Sequence, residues 1–507
     1  MPFQVAAIIF ITFSAVFGAF MAPRSGDYTR IQIATAWFLL GVVAFVVSDD
    51  LAALIIMLPI SVALSRVSAE KRIYFYIATL TAVPVFLSAN LPFPGLNYLI
   101  ELNFTKIHTL VVLGPIFLAA LSKKPPPVLR KADLCILLFI LLVGVLSIRN
   151  QSFTSMLRTI IDQMILGFIP YITISRTLTN REHFENALKA FFTGILITAM
   201  LGVISTLRSW NIYSTLSDSI LNYKSFSDYR NGFLRIGVTS TPVQVGLFMG
   251  LGLALSFLYR RTKEITAPTQ LLLAAMFLGV CFTTGSRGGW LSGAVVFSLY
   301  LILLRAKPSM RSLVAMGLGA TAIFGFVLIL NDSVSVSDQY GTFAYRTELI
   351  KTAMLQIRDT PLFGTPDILI LPRFQHLRQG EGIIDIVNVF IGIALFHGLI
   401  SLALFCYAHF STIAAGIKTL NIIDRSDASP DDKLKSKSIL SIICACQIGF
   451  MVLISTISGA STIMHFSYIF LALLIGATRA MSVKHSQPLR SKIRSADVQL
   501  QKTIMNT

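Results

Sequence analysis

Apolar runs of roughly 15–20 residues recur along the whole chain, near residues 3–21, 32–48, 51–64, 73–90, 107–121, 134–148, 159–175, 189–206, 243–259, 270–284, 289–304, 313–330, 386–413, 438–457 and 460–477. An α-helix needs about 20 such residues to cross the hydrocarbon of a bilayer, and lipid offers no partner to an unpaired backbone amide. The expected fold is therefore all-α, a polytopic transmembrane helical bundle of about 12–15 spans. Composition agrees, since 54% of the 507 residues are hydrophobic and 13% are charged, against about 25% charged in a soluble chain. No basic residue precedes the run from Val5 to Met21, so it reads as a retained span rather than a signal peptide.

Lysine and arginine are unevenly divided. The loops near 22–31, 65–72, 122–133, 176–188, 260–269, 305–312 and 414–437, with the tail from 478, hold 28 of them. The loops near 91–106, 149–158, 207–242, 285–288 and 331–385 hold 13. The first set is expected to face the cytoplasm and the second the outside. The net charge of +18 follows from this loop bias and points to anionic lipid at the tail, not to nucleic acid. Residues 91–104, with Pro92, Pro94 and Gly95, read as a re-entrant or interfacial piece, and Lys123–Pro127 as a stiff basic turn. The five cysteines are scattered, which gives neither a disulfide framework nor a zinc site.

The outer loop 331–384 is long enough for short helices of its own. Phe343, Ile350, Met354 and Ile357 share one helical face. Asp359-Thr360-Pro361 ends that helix, and Gly364-Thr365-Pro366 makes the next turn.

The polar residues set against this apolar background are the candidates for chemistry. Thr284-Gly285-Ser286-Arg287-Gly288-Gly289 lies between two apolar runs. A charge there is costly in hydrocarbon, so Arg287, with Ser286, is a candidate anion site, the alternative being a snorkelling arginine at a span end. Arg235 precedes a span and Arg346 lies in the loop helix. Three outward arginines suit a diphosphate, because the guanidinium stays charged and bonds two oxygens at once. His376, Glu381 and Asp385 are candidate bases. Asp385 is placed where the loop re-enters the membrane, and Asn388 lies one helical turn on, on a neighbouring part of the same face, where it can orient the carboxylate or a sugar hydroxyl. The alternative for Asp385 is a helix cap on a span beginning at Ile386. His397 and His465 lie within apolar spans and read as core residues.

Residues 230–401 resemble the O-antigen ligase and O-antigen polymerase family of bacterial membrane glycosyltransferases. The resemblance rests on Arg235-Ile-Gly-Val-Thr before a span and on the Thr284-Gly-Ser-Arg-Gly-Gly run. It also rests on Arg346…Pro361-Leu-Phe-Gly364 and on Asp385-Ile-Val-Asn388…Gly398-Leu-Ile. It implies transfer of a glycan from a polyprenyl (undecaprenyl) diphosphate donor to a glycan or lipid-core hydroxyl. That would take place at the periplasmic face of the bacterial inner membrane, with no metal or other cofactor. Membrane lipids and polysaccharide export machinery are the further partners implied. The ligase pattern has a histidine, then Asn, Ser or Gln, then nine residues and a glycine. Asn388 and Gly398 keep that spacing, but Val387 stands at the histidine position and Ser401 at the final glycine. Both departures favour a polymerase or exopolysaccharide branch over a lipopolysaccharide ligase, with Asp385 as the substitute base.

The corresponding layout has a membrane scaffold over 1–206 and a ligase-like catalytic region over 207–413 that includes the periplasmic loop 331–384. Helices over 414–478 and a basic cytoplasmic tail over 479–507 complete it. The rival class is a transporter or flippase of a similar lipid-linked oligosaccharide. It would share the arginines but need no base, and transporters often carry matching halves; none is visible here. An intramembrane serine protease is disfavoured because Gly285-Ser286-Arg287-Gly288 lacks the Gly-x-Ser-x-Gly elbow.

Overall fold

The computed structural model describes residues 2–24, 30–47, 49–84, 87–93, 96–123, 129–149, 153–215, 229–230, 232–311, 342–379, 382–458 and 463–484. In chain order these form α1 (Pro2–Met21), α2 (Arg30–Val46), α3 (Asp50–Leu64) and α4 (Ala69–Thr79), followed by the strands β1 (Ser88–Phe93) and β2 (Leu96–Asn103). Next come α5 (Phe104–Ser122), α6 (Arg130–Arg149), α7 (Phe153–Thr177) and α8 (Arg181–Arg208). After the short strands β3 (Tyr229–Arg230) and β4 (Phe233–Leu234) stand α9 (Pro242–Arg261), α10 (Ala267–Thr283), α11 (Arg287–Arg305) and α12 (Thr342–Asp359). The long α13 (Val389–Arg425), α14 (Pro430–Ile454) and α15 (Ile463–Lys484) end the described chain. Ten of these helices are long and apolar enough to cross a membrane, and α2, α3 and α10 are shorter apolar helices. This is the all-α polytopic bundle that the hydropathy pattern predicts.

Four expectations change or fall elsewhere. The run 73–90 is not one span: α4 stops at Thr79, a turn carries the chain past Pro84, and β1 begins at Ser88. Proline removes an amide and disfavours helix just before it, which favours a break in the apolar run at Pro84. Residues 91–93 and 96–103 then belong to β1 and β2, which pair antiparallel with Ser88 opposite Asn103 and Asn90 opposite Glu101. The buried face of α12 is also turned from the expected one. Ile350 is buried and Ile357 is packed as expected, but the buried face centres on Leu349 and Ala353, with Tyr345 beside them, and Met354 is 43% exposed. The expected span 313–330, the turn Lys124–Pro127, Glu381 and the tail from 485 lie outside the described residues.

Helix starts follow local chemistry. Thr241 and Gln244 form a capping box with Pro242 at the first turn of α9. Ser286 caps α11 and Asn388 caps α13. The packing that aims α11 comes from two matching pairs of small residues, Gly246 and Gly250 on α9, and Gly289 and Gly293 on α11. A Cβ on Gly250 would lie 2.2 Å from the Cα of Gly293, and one on Gly246 would lie 2.7 Å from the Cα of Gly289. The two backbones touch, the arrangement that small residues four apart permit between membrane helices. On its other side α11 packs against α14, where Gly449 admits Val296.

The long α13 has 37 residues, about 55 Å of helix, but it is broken at Gly398, whose φ of +80° and ψ of 174° are not helical. Only glycine adopts such a backbone without strain.

Candidate active site

At the end of the bundle where α9 and α11 begin and α10 and α14 finish, one tight turn gathers several basic side chains. Residues 284–286 join α10 to α11, with Gly285 at φ +59°. The Oγ of Ser286 accepts from the amide of Gly289 at 3.2 Å and so caps α11. Its own hydrogen is left to donate. Arg287 opens α11, is exposed, and has no protein partner among the described residues. A helix N-terminus carries partial positive charge, so Arg287 stands where an anion is favoured twice over.

Arg235 and Arg346 reach this turn from two sides. The Nε of Arg235 donates to the carbonyl of Thr284 at 3.3 Å, and the Ile236 amide donates to that of Thr283 at 3.2 Å. Arg230 donates to the carbonyl of Gly285 at 3.4 Å. On the far side Arg346 donates to the carbonyl of Thr456 at 3.0 Å. Thr456 abuts the turn itself: a Cβ on Gly288 would meet its Oγ1 at 2.4 Å. Arg235 and Arg230 therefore bond the turn from which Arg287 projects, and Arg346 is held one neighbour away, on Thr456.

One turn of α12 holds two of the three candidate bases, Asp385 and His376. The hydroxyl of Tyr345 donates to the carbonyl of Asp385 at 2.8 Å and accepts from the Asp385 amide at 2.9 Å. Three residues on, Glu348 lies 3.3 Å from Nε2 of His376, with both side chains about half exposed. Burial raises the pKa of the Tyr345 hydroxyl, and the nearby Asp385 charge raises it further. Tyr345 thus stays protonated and keeps its donor role at neutral pH.

Residues 383–388 are not helical, which corrects the shared helical face expected for Asp385 and Asn388. The amide of Val387 bonds the carbonyl of Asp385 and that of Asn388 bonds Ile386, both skipping one residue. Such compact turns exclude helix until Val389. Asp385 is consequently not the cap of this span. Asn388 is, its Oδ1 accepting from the Ile391 amide at 3.1 Å, which leaves its Nδ2 to donate to a substrate. The loop is fastened beneath by Ile384 and Ile386, which bury against Leu349, Phe374 and Leu395.

The expectation for the apolar histidines divides. His465 is buried and bonded to Tyr76 and to the carbonyl of Leu166. His397 sits beside the break in α13, and its Nδ1 is buried without a hydrogen-bond partner among the described residues.

Sequence reasoning missed Tyr345, Arg230, Thr456 and Arg149. Arg149, at the end of α6, donates to the carbonyl of Leu146 in its own helix and to three distant ones: Gly364 at 3.0 Å, Phe363 at 2.9 Å and Phe396 at 3.0 Å. The Pro361–Gly364 turn plugs into the break in α13. There Leu399 N bonds Pro361 O and Thr365 N bonds Leu395 O, each at 2.8 Å. This accounts physically for the Pro361-Leu-Phe-Gly364 and Gly398 pattern: the turn satisfies backbone groups that the broken helix releases. Its one visible signal was an arginine at the end of an apolar run, the same signal that picked out Arg287.

A multi-pass helical membrane protein with a structured loop closing over one end of the bundle is the class this arrangement defines. Residues 271–406 match the family model described as O-antigen ligase. That match supports an O-antigen ligase/polymerase-like membrane enzyme. It includes Ser286, Arg287, Arg346, His376, Asp385 and Asn388, while Arg235 lies before it. No curated protein matches the chain.

Proposed function

We propose that the protein is a metal-independent glycosyltransferase that extends or transfers polysaccharide from a polyprenyl diphosphate-linked glycan to an acceptor hydroxyl. In this reading the site faces the periplasm of the bacterial inner membrane, away from the Lys- and Arg-rich loops. The carrying observation is the single turn of α12 in which Tyr345 fixes Asp385 and Arg346 reaches Thr456 beside the Ser286–Gly288 turn. On this reading one helix turn ties the acid–base group, through Tyr345, to an arginine of the anion site.

The reaction balances simply. The acceptor oxygen forms a bond to the anomeric carbon as the bond from that carbon to the diphosphate breaks. Asp385 takes the hydroxyl proton. Arg287, Arg235 and Arg346 hold the diphosphate and stabilise the charge that grows on it as it leaves. His376, paired with Glu348, is a second proton carrier at the same loop. The Asn388 Nδ2 and the Ser286 hydroxyl are donors for the glycan or the phosphate. Val387 at the histidine position of the ligase pattern favours glycan over lipid core as acceptor, hence a polymerase.

The test is product analysis. The full chain in vesicles, supplied with a polyprenyl diphosphate oligosaccharide, is expected to release polyprenyl diphosphate and yield longer glycan. Movement of intact donor across the vesicle membrane without glycosidic bond formation would make the protein a flippase instead.

A further inference from the structure

The opposite end of the bundle holds a basic cavity of about 710 Å³ between the ends of α5, α7 and α15 and the start of α8. Five cationic residues line it: Lys123, Arg176, Arg181, Arg479 and Lys484, with Glu182 as the single acidic one. Two carboxylates take up three of these charges. Asp133 pairs with Arg479 at 2.6 Å, and Asp432 pairs with Arg181 and, at 2.8 Å, with Lys484. Lys123 and Arg176 keep no carboxylate partner among the described residues. Arg176 instead crosses the last turn of α5, donating to the carbonyls of Ala120, Leu121 and Lys123.

Two further observations point to an anionic occupant. The Nε atoms of Arg176 and of Arg181 are buried donors with no acceptor among the described residues, and leaving such a donor unmet is costly. The first turn of α8 forms one wall, and its N-cap Asn180 makes no side-chain capping bond, so free amides add to the positive field. The rest of the lining joins Ser175 and Thr179 to the apolar Leu178, Ala480 and Val483, the last 51% exposed. A cationic floor with an apolar rim at a helix-bundle end matches a lipid, whose phosphate sits deep and whose chains run out along the helices.

We propose that this cavity binds the headgroup phosphate of an anionic phospholipid from the leaflet at the basic-loop end of the bundle. The site is separate from the candidate active site and does not depend on it. Bound lipid bridges α5, α7, α8 and α15, and its charge offsets the repulsion among the clustered cations.

The test is native mass spectrometry of the detergent-purified full chain with phosphatidylglycerol, phosphatidylethanolamine or inorganic phosphate. The expected result is saturable retention of phosphatidylglycerol, about tenfold tighter than phosphatidylethanolamine, and no displacement by inorganic phosphate. The double variant K123Q/R176Q is expected to lose that preference. K123E alone changes an exposed side chain that holds no structural bond, and it is expected to weaken phosphatidylglycerol several-fold while the lipid-free melting point stays the same. R358Q, on the exposed surface of α12 at the other end, is expected to bind as the wild type does. Equal retention of the two lipids, or an unchanged preference in K123E, would overturn the proposal. Displacement by inorganic phosphate would also overturn it and assign the cavity to the free ion.

Discussion

Tyr345 grips Asp385 by its backbone alone, donating to its carbonyl and accepting from its amide through one hydroxyl. The carboxylate is thereby placed without being neutralised, and the loop that carries it is tied to the helix that carries Arg346.

Tyr345→Phe removes both bonds at a half-buried site. The expected cost in stability is about 1 kcal/mol, and the expected loss of turnover is up to about a hundredfold, because small displacements of a reacting group are expensive. Polymer yield compared with thermal midpoint checks this. A variant that loses stability but turns over normally would separate Tyr345 from the chemistry.

The break in α13 yields a second outcome. A Cβ on Gly398 would lie 2.0 Å from the carbonyl oxygen of Leu362, and its φ is positive. Gly398→Ala is expected to drive the Pro361–Gly364 turn out of the break and to lower folded yield. Gly392→Ala, with no atom nearer than 3.8 Å, is expected to be tolerated. Arg149→Gln strips two charge-assisted bonds from the same turn and one from Phe396 beside the break, and is expected to cost at least about 2 kcal/mol. Thermal denaturation of the three variants in detergent ranks them.

Arg287 and Arg235 differ in a way that activity and stability assays separate. Arg287 bonds no protein group among the described residues, so Arg287→Ala is expected to reduce turnover by about a hundredfold or more with an unchanged melting point. Arg235 also holds the Thr284 carbonyl, so its alanine variant is expected to lose some stability as well. Lysine at 287 is expected to rescue poorly, since it has no two-pronged geometry. Wild-type turnover in both alanine variants would remove the diphosphate from the account.

Orientation is checked by labelling single cysteines in a cysteine-free background. A membrane-impermeant thiol reagent added to intact spheroplasts is expected to label Arg358→Cys and not Lys123→Cys. The reverse pattern would turn the candidate site toward the cytoplasm, where the proposed donor and acceptor are not presented.

Hydropathy alone revealed the bundle, because nearly every span is a self-contained apolar run. It misjudged 73–90, where Pro84 breaks an apolar stretch that composition cannot divide. The Ser286–Arg287 turn was legible because charge is rare against apolar surroundings. Arg346 and Asp385 were legible as polar residues near span or loop ends, but their connection was not. It depends on Tyr345 and on Thr456, which meet them across 40 and 110 positions of chain. Arg149 reaches 215 positions to Gly364, a contact that no local pattern encodes. Asp385 and Asn388 were wrongly put on one helix because their spacing fits a helical turn equally well; the short turns at 385–388 decide otherwise.

The central claim is that Asp385 accepts the proton of the attacking hydroxyl. Because Asn388, not Asp385, caps α13, Asp385→Asn changes the charge while leaving the cap and the Tyr345 bonds in place. The direct measurement is the single-turnover rate of glycan transfer by Asp385→Asn in vesicles, with thermal midpoint as the control. The account predicts a rate at least about a hundredfold below wild type at unchanged stability. Transfer at the wild-type rate would contradict it and pass the role of base to His376 or Glu381.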